Sequence, residues 1–440
     1  MDLNKQTDGK NFNLLVLDGM LFFGAITFLA SSTILPAFVS RLTTSSMLVG
    51  LVTAVRFSGW FLPQLFAANY LEKRLLKKPV MLITSFLSRL SIIMLAYVTY
   101  RWGAGQASVT LILFFALYFL FNLCEGVSTI AWMDIVAKTV TPTRRGSMFS
   151  GMQLTGSLLG IGAGVLIRHI LNHPQLSFST AYALIFFCGG ILLFGDYLVL
   201  FFLEEPPGSK VTQERTMMQY LKTIPMLLRK NITFQRMVAI KILIGFNYLV
   251  LPFYVVYSQK VLATQSGIIG IYVLLQTAGM IGGSLLFGQL SDRVGNRSVI
   301  LGTSIATAFM PVFALCVFLV SRTGAYPVLT SLYALVFLAI GFSDSGLMIG
   351  FTNYMLEIVS EEERPSYYGL SNTMGAVTAI LPILGGFLVS QYSYELAFLI
   401  AAIFILVGLT ISFGLPEPRR MQTTKEAYEW IAEGGAHETD

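Results

Sequence analysis

Apolar residues run through this chain in long unbroken blocks separated by short polar stretches. The block "ALIFFCGGILLFGDYLVLFFL" is representative, with one charge in its length. Runs of about 18 or more apolar residues suffice to cross a bilayer core of about 30 Å as a helix. Backbone groups find no water partners in lipid, so such segments form helices or close into a barrel. Barrel strands alternate apolar and polar positions over about ten residues, and these blocks do not. The pattern predicts an all-α membrane protein with twelve transmembrane helices. Their spans fall at 13–40, 45–68, 79–100, 108–138, 147–171, 179–203, 234–258, 264–290, 298–321, 325–357, 366–390 and 394–415.

Composition agrees, with 55% of residues apolar and 12% charged, against about 25% charged in soluble domains. The polar opening residues and the long apolar run behind them predict an uncleaved first span rather than a signal peptide. Cys124, Cys188 and Cys316 all fall within spans, an odd number without metal-ligand spacing, and read as buried small hydrophobes. No cofactor or metal is implied. The net charge of +6 would suit nucleic acid, but its placement follows membrane topology instead. With both termini cytoplasmic, 21 of the 29 Lys and Arg residues fall on cytoplasmic segments, as the positive-inside rule requires.

The chain also repeats itself. A shift of 219 positions lays "NYLEKRLLKKPVML" over "GQLSDRVGNRSVIL", matching Leu71 to Leu290, Arg74 to Arg293 and Lys78 to Arg297. The same shift matches Val140, Arg145, Ser147 and Gly156 to Val359, Arg364, Ser366 and Gly375, and sets Glu125 on Asp344. Two pseudo-symmetric six-helix halves follow, 1–203 and 234–415. A cytoplasmic linker with an interfacial helix (204–233) joins them, and a cytoplasmic tail (416–440) follows.

The loop "GQLSDRVGNR" resembles the signature loop of the major facilitator superfamily of secondary transporters, through Gly288, Leu290, Asp292, Arg293, Gly295 and Arg297. Asn296 departs at one of the family's basic positions. The resemblance implies twelve spans in parallel halves, and a cytoplasmic gate to which Gly288, Asp292, Arg293, Gly295 and Arg297 contribute. "WMDIVAKTVTPTRRG" is similar to the family's segment between spans 4 and 5, which adds Asp134, Arg144 and Arg145 as a latch. For the arginines, simple anchoring of the topology is an equal reading. Gly-rich stretches in spans 5 and 11, "GSLLGIGAGVLI" and "GAVTAILPILGG", fit close helix packing as well as any antiport motif.

Seven charges interrupt the spans: Asp18, Arg56, Arg89, Glu125, Asp196, Lys241 and Asp344. Each costs at least ~2.5–3.5 kcal/mol at mid-bilayer and is expected to face the protein interior. The family resemblance places spans 1, 4, 7 and 10 around the central cavity, which puts Asp18, Glu125, Lys241 and Asp344 on the substrate path. At a rise of about 1.5 Å per residue, Glu125 and Asp344 lie roughly 20 Å deep, near the midplane. Desolvation favours the neutral form of a carboxylate, which suits proton uptake and release. Arg56 is expected to meet Glu125, and Arg89 to pair structurally with Asp196.

The expected function is therefore a secondary transporter in the plasma membrane, working by alternating access and coupled to protons, with sodium as the alternative. Export of small amphiphilic compounds by antiport is the first reading. Uptake of a small polar or anionic metabolite, with Arg56, Arg89 or Lys241 as counter-ion, is the second, and lipid flipping on the same fold a third. An enzyme is not expected, since His169, His173 and His437 stand apart from the midplane acids. The expected partners are a small-molecule substrate, coupling ions and membrane lipids, for a monomer that binds no nucleic acid.

Overall fold

A computed structural model of the chain describes residues 2–72, 74–207, 231–321, 331–359, 367, 370–371 and 374–419. Helices dominate it, and there is no strand among the described residues. Ten helical segments are long and apolar enough to cross a membrane. Two further apolar stretches, Ser46–Phe61 within the helix Ser46–Glu72 and Val377–Gln391, occupy the places of spans 2 and 11. The interfacial helix expected within the linker, Arg364 and Ser366 of the repeat, and most of the tail lie outside the described residues.

The pairing of helices repeats between the halves. In the first, span 2 (Ser46–Glu72) packs on span 4 (Ala107–Thr139), while span 3 (Lys78–Arg101) packs on spans 4 and 6 (Phe178–Phe201). Span 8 (Ile268–Arg293) packs on span 10 (Leu335–Ile358), and span 9 (Asn296–Ser321) on spans 10 and 12 (Tyr394–Phe413), in the same scheme. Span 5 (Pro142–Asn172) against span 8, and span 2 against span 11, join the halves.

Spans 1 and 7, expected as continuous helices, are each broken near the middle. Span 1 is helical over Asp2–Phe28 and Ile34–Leu42; span 7 over Ile232–Ile244 and Phe253–Lys260, with a 3₁₀ turn at Gly245–Leu249. Proline explains both interruptions. A proline lacks the N–H for the helical bond and its ring clashes with the carbonyl four residues back. Pro36 and Pro252 stand just past the two breaks, so the chain loosens at Ser31–Thr33 and at Tyr248–Leu251. Within the first break the Leu35 N–H bonds to the Ala30 carbonyl, and the Ser31 carbonyl accepts the Thr53 hydroxyl at 3.2 Å.

Aromatic clusters fix the short helices beyond the breaks. Phe38 is fully buried among Phe114, Phe178, Tyr182 and Phe186, at centroid distances of 5.2–5.6 Å. Tyr257, which the 219-residue shift lays on Phe38, sits likewise among Tyr333, Tyr394 and Phe398 at 5.5–5.7 Å. Lipid tails are as apolar as these side chains, so close packing rather than escape from water drives the association. Each aromatic pair adds about 0.5–1.5 kcal/mol beyond area burial.

Candidate substrate cavity and intramembrane charge cluster

One group of charges is sealed inside the first half. Arg89 of span 3, 2% exposed, ion-pairs with both Glu125 of span 4 and Asp196 of span 6. The Ser88 hydroxyl donates to Glu125 at 2.6 Å, and the Arg89 Nε–H donates to the Leu193 carbonyl at 3.3 Å. Asp18 of span 1, 5% exposed, accepts the Trp132 indole N–H at 2.9 Å and reaches the Asp196 carboxyl. Glu125 is thus held by Arg89 and not by Arg56, which corrects the pairing expected from helix spacing.

A second group surrounds a central cavity of about 140 Å³. Asp344 of span 10 and Lys241 of span 7 both line it, with Asn247, Thr307, Ser343 and Thr378 as polar neighbours and Phe57, Phe61 and Tyr248 as aromatic ones. The Asp344 carboxyl is enclosed by the fold yet open to the cavity space. Lys241 donates to the Ser371 hydroxyl at 3.0 Å. Arg56 is also exposed to internal space, donating to the Ser31 hydroxyl at 2.7 Å at the break of span 1. Its charge acts on Asp344 and on the Tyr248 hydroxyl. Ser32, from the same break, donates to Gln276 of span 8 at 2.9 Å, and Gln276 lies within hydrogen-bonding reach of Asp344. A polar chain therefore links the first half to Asp344 in the second.

Of the carboxylates expected on the substrate path, only Asp344 opens on this cavity. Glu125 and Asp18 are committed to the sealed cluster. Among the site residues that the sequence does not single out are Gln276, Ser31, Ser32, Phe57 and Phe61. Pro36, shortly after the serine pair Ser31–Ser32, is the sequence signal that could have marked the first break.

Both halves carry a charge cluster where their helices end on the face at which span 1 begins and span 12 ends, here the proximal face. Glu205 accepts the backbone N–H of Lys77 and Lys78 at 2.8 and 2.7 Å, and the Lys138 ammonium at 2.9 Å. Asp134 takes Lys138 at 2.7 Å and also pairs with Lys77. In the second half Glu417 takes the corresponding place at the start of span 9, accepting the Arg297 N–H at 3.2 Å. Lys78 donates to the Phe201 carbonyl at 2.7 Å, and Arg297 donates to that of Phe413 at 2.9 Å. A carboxylate at a helix N-terminus meets unpaired N–H groups and the positive end of the dipole. Burial raises the Glu417 carboxyl above its usual range, against the opposing Arg297 N–H.

The signature loop closes through Gly295, whose φ of +116° lies where a side chain is strained. Gly288 has no such need, since an added Cβ there would meet nothing within 4 Å. Asn296, the departure from the family's basic position, is 1% exposed and bridges Ser291 at 2.7 Å and Glu357 at 2.9 Å. A buried amide stands at the position where the family carries a base. Asp292 and Arg293 are exposed, and the Asp292 carbonyl accepts Arg419 at 3.2 Å. Arg145 caps the end of span 4, donating to the Ala137 and Val140 carbonyls at 2.8 and 3.0 Å. The Arg144 guanidinium lies over the Phe12 ring at 4.3 Å.

On the opposite, distal face the halves touch backbone to backbone. A Cβ added at Gly50 would lie 2.0 Å from the Pro382 carbonyl oxygen, and one at Gly386 2.5 Å from that of Ser46. Gly270 abuts Arg168 in the same way, 2.5 Å from its backbone nitrogen. The short helices Ile34–Leu42 and Phe253–Lys260 also meet there. From this seam, contacts between spans 5 and 8 reach as far as the 3.3 Å bond from Gln153 to Ser284.

Parallel six-helix halves, paired broken helices and a polar cavity between them define a multi-pass membrane transporter fold. The chain belongs to the Major Facilitator Superfamily, whose model matches residues 19–263 and 237–430. It is 28% identical over 226 residues to a Staphylococcus aureus (strain COL) protein provisionally named a proline/betaine transporter, covering 48% of this chain and 47% of that protein. It is 23% identical over 190 residues to a Na(+), Li(+), K(+)/H(+) antiporter of Planococcus maritimus, covering 42% and 43%. The chain thus spans about half the length of these curated relatives. The D-xylose-proton symporter has the same fold, with a TM-score of 0.69 at 16% identity, over 93% of this chain and 98% of that one.

Proposed function

We propose that the chain is a proton-coupled secondary transporter that exports small amphiphilic compounds bearing a basic nitrogen, in exchange for protons. The observation that carries this reading is Asp344, a carboxylate open to a central cavity and flanked by Phe57, Phe61 and Tyr248. A proton and an organic cation neutralise the same carboxylate, so either excludes the other, and that competition is the elementary requirement of exchange. Aromatic faces favour a bound cation by ~0.5–2 kcal/mol, the more so when water is excluded.

Alternating access follows from the same architecture. The halves 1–203 and 234–415 rock about the site, and the broken spans 1 and 7 bend beside it. The distribution of Lys and Arg makes the proximal face cytoplasmic, so the closed distal seam is the outer gate. The chain then resides in the plasma membrane with both termini inside.

A second reading rests on Lys241, which lines the same cavity. An ammonium and a carboxylate facing one cavity also suit a small zwitterion taken up with protons, and the name of the Staphylococcus aureus relative accords with it. Proteoliposomes containing a pH-sensitive dye separate the two. Efflux of a lipophilic amine that drives protons inward supports exchange, whereas acidification accompanying entry of a zwitterion supports symport. Solute movement without proton movement in either assay contradicts proton coupling.

A further inference from the structure

Asp196 sits at the bottom of the sealed cluster with 0% exposure, and its two carboxylate oxygens have different fates. Oδ2 takes the Arg89 guanidinium. Oδ1 is buried with no donor among the described residues. A buried acceptor left empty is destabilising, the more so when it is charged, so a donor is to be expected. The carboxyl of Asp18 lies within hydrogen-bonding reach of Asp196. One oxygen of Asp18 is already occupied, since Oδ2 accepts the Trp132 N–H at 2.9 Å. A carboxyl group donates only when it carries a proton.

The charge count gives the same answer independently. Three acids, Asp18, Glu125 and Asp196, share one base, Arg89, and all four side chains are at most 5% exposed. Among the described residues, the elements around Asp18 supply no second base at this level: span 3 brings Arg89, span 4 brings Glu125 and Trp132, and span 6 brings Asp196. Span 5 meets the neighbouring Gly19 with Met152. Two like charges at hydrogen-bonding distance in a dry site cannot both remain ionised.

We propose that Asp18 and Asp196 form a carboxyl–carboxylate pair that holds one proton between spans 1 and 6, with Arg89 fixing Asp196 as the acceptor. The resident proton sits on Asp18 and is donated to Asp196 Oδ1. This site is separate from the Asp344 cavity and holds whether or not transport is proton-coupled.

Infrared spectroscopy of the purified full-length protein at neutral pH tests it, through the protonated-carboxyl C=O stretch and its shift in D₂O. The expected result is a band in wild type that is lost in Asp18→Asn and in Asp196→Asn and retained in Asp344→Asn. In Asp18→Asn the amide N–H replaces the acid proton as donor, so the variant should melt at or above the wild-type temperature. A wild-type spectrum without the band, or a band that survives both cluster substitutions, overturns the proposal. So does a marked fall in the Asp18→Asn melting temperature, which would show Asp18 to be an ionised partner of Arg89.

Discussion

Arg89 and Glu125 are joined in an ion pair that is 2–5% exposed at its side chains, on neighbouring helices of the first half. The carboxylate that interrupts the apolar run of span 4 is therefore spoken for, and the one that remains available to a ligand is Asp344. This division of labour gives the predictions that follow.

Removing the shared base should cripple the first half. Arg89→Met leaves Glu125 and Asp196 without their counter-charge, and breaking a buried pair from one side costs about 3–5 kcal/mol. Thermal melting of the purified protein should show a large drop for Arg89→Met. A smaller loss is expected in Arg89→Met combined with Glu125→Gln, which removes one of the stranded charges.

The distal seam depends on glycine. Gly50→Val places branched carbons where the Pro382 carbonyl now lies, and Gly386→Val does the same against Ser46. Both should hold the distal face open and abolish transport while leaving the halves folded. Spin labels on the distal ends of spans 2 and 11 should report a longer separation in each variant than in wild type.

Glu417 gives the proximal face a dependence on pH. Its folded-state carboxyl binds a proton more tightly than the usual value of 4.5, so the folded state holds more protons than the unfolded chain in the window above that value. Stability from this group is then complete at acid pH and declines as pH rises through the window. Melting temperatures measured upward from about pH 4.5 should fall more steeply in wild type than in Glu417→Gln, starting from the carboxylate range this group leaves.

Much of this architecture could be read from the chain because lipid removes alternatives. A long apolar block must be a helix, and a 219-residue repeat must give two similar bundles. The charges of the site stood out for the same reason, as residues out of place. Their partners did not. Helix rise gives a position along one helix but not the side chain it faces across the bundle, so spacing alone pairs Glu125 with Arg56, where the fold pairs it with Arg89. The breaks in spans 1 and 7 were also hidden, although Pro36 and Pro252 mark them, because transmembrane helices tolerate proline when neighbours satisfy the freed groups. Gln276 carried no signal at all. An uncharged side chain becomes a link between halves only when folding brings Ser32 to it.

The account stands or falls on Asp344. Asp344→Asn keeps the shape of the cavity and removes its anionic charge, and a charge-assisted contact is worth about 1.5–3 kcal/mol. Binding of a lipophilic organic cation to the purified full-length protein should therefore weaken by roughly 10–100-fold. Competition between that cation and protons, visible in wild type as weaker binding at lower pH, should vanish in the variant. Unchanged affinity, with the pH dependence intact, would contradict the assignment of Asp344 as the site that proton and substrate share.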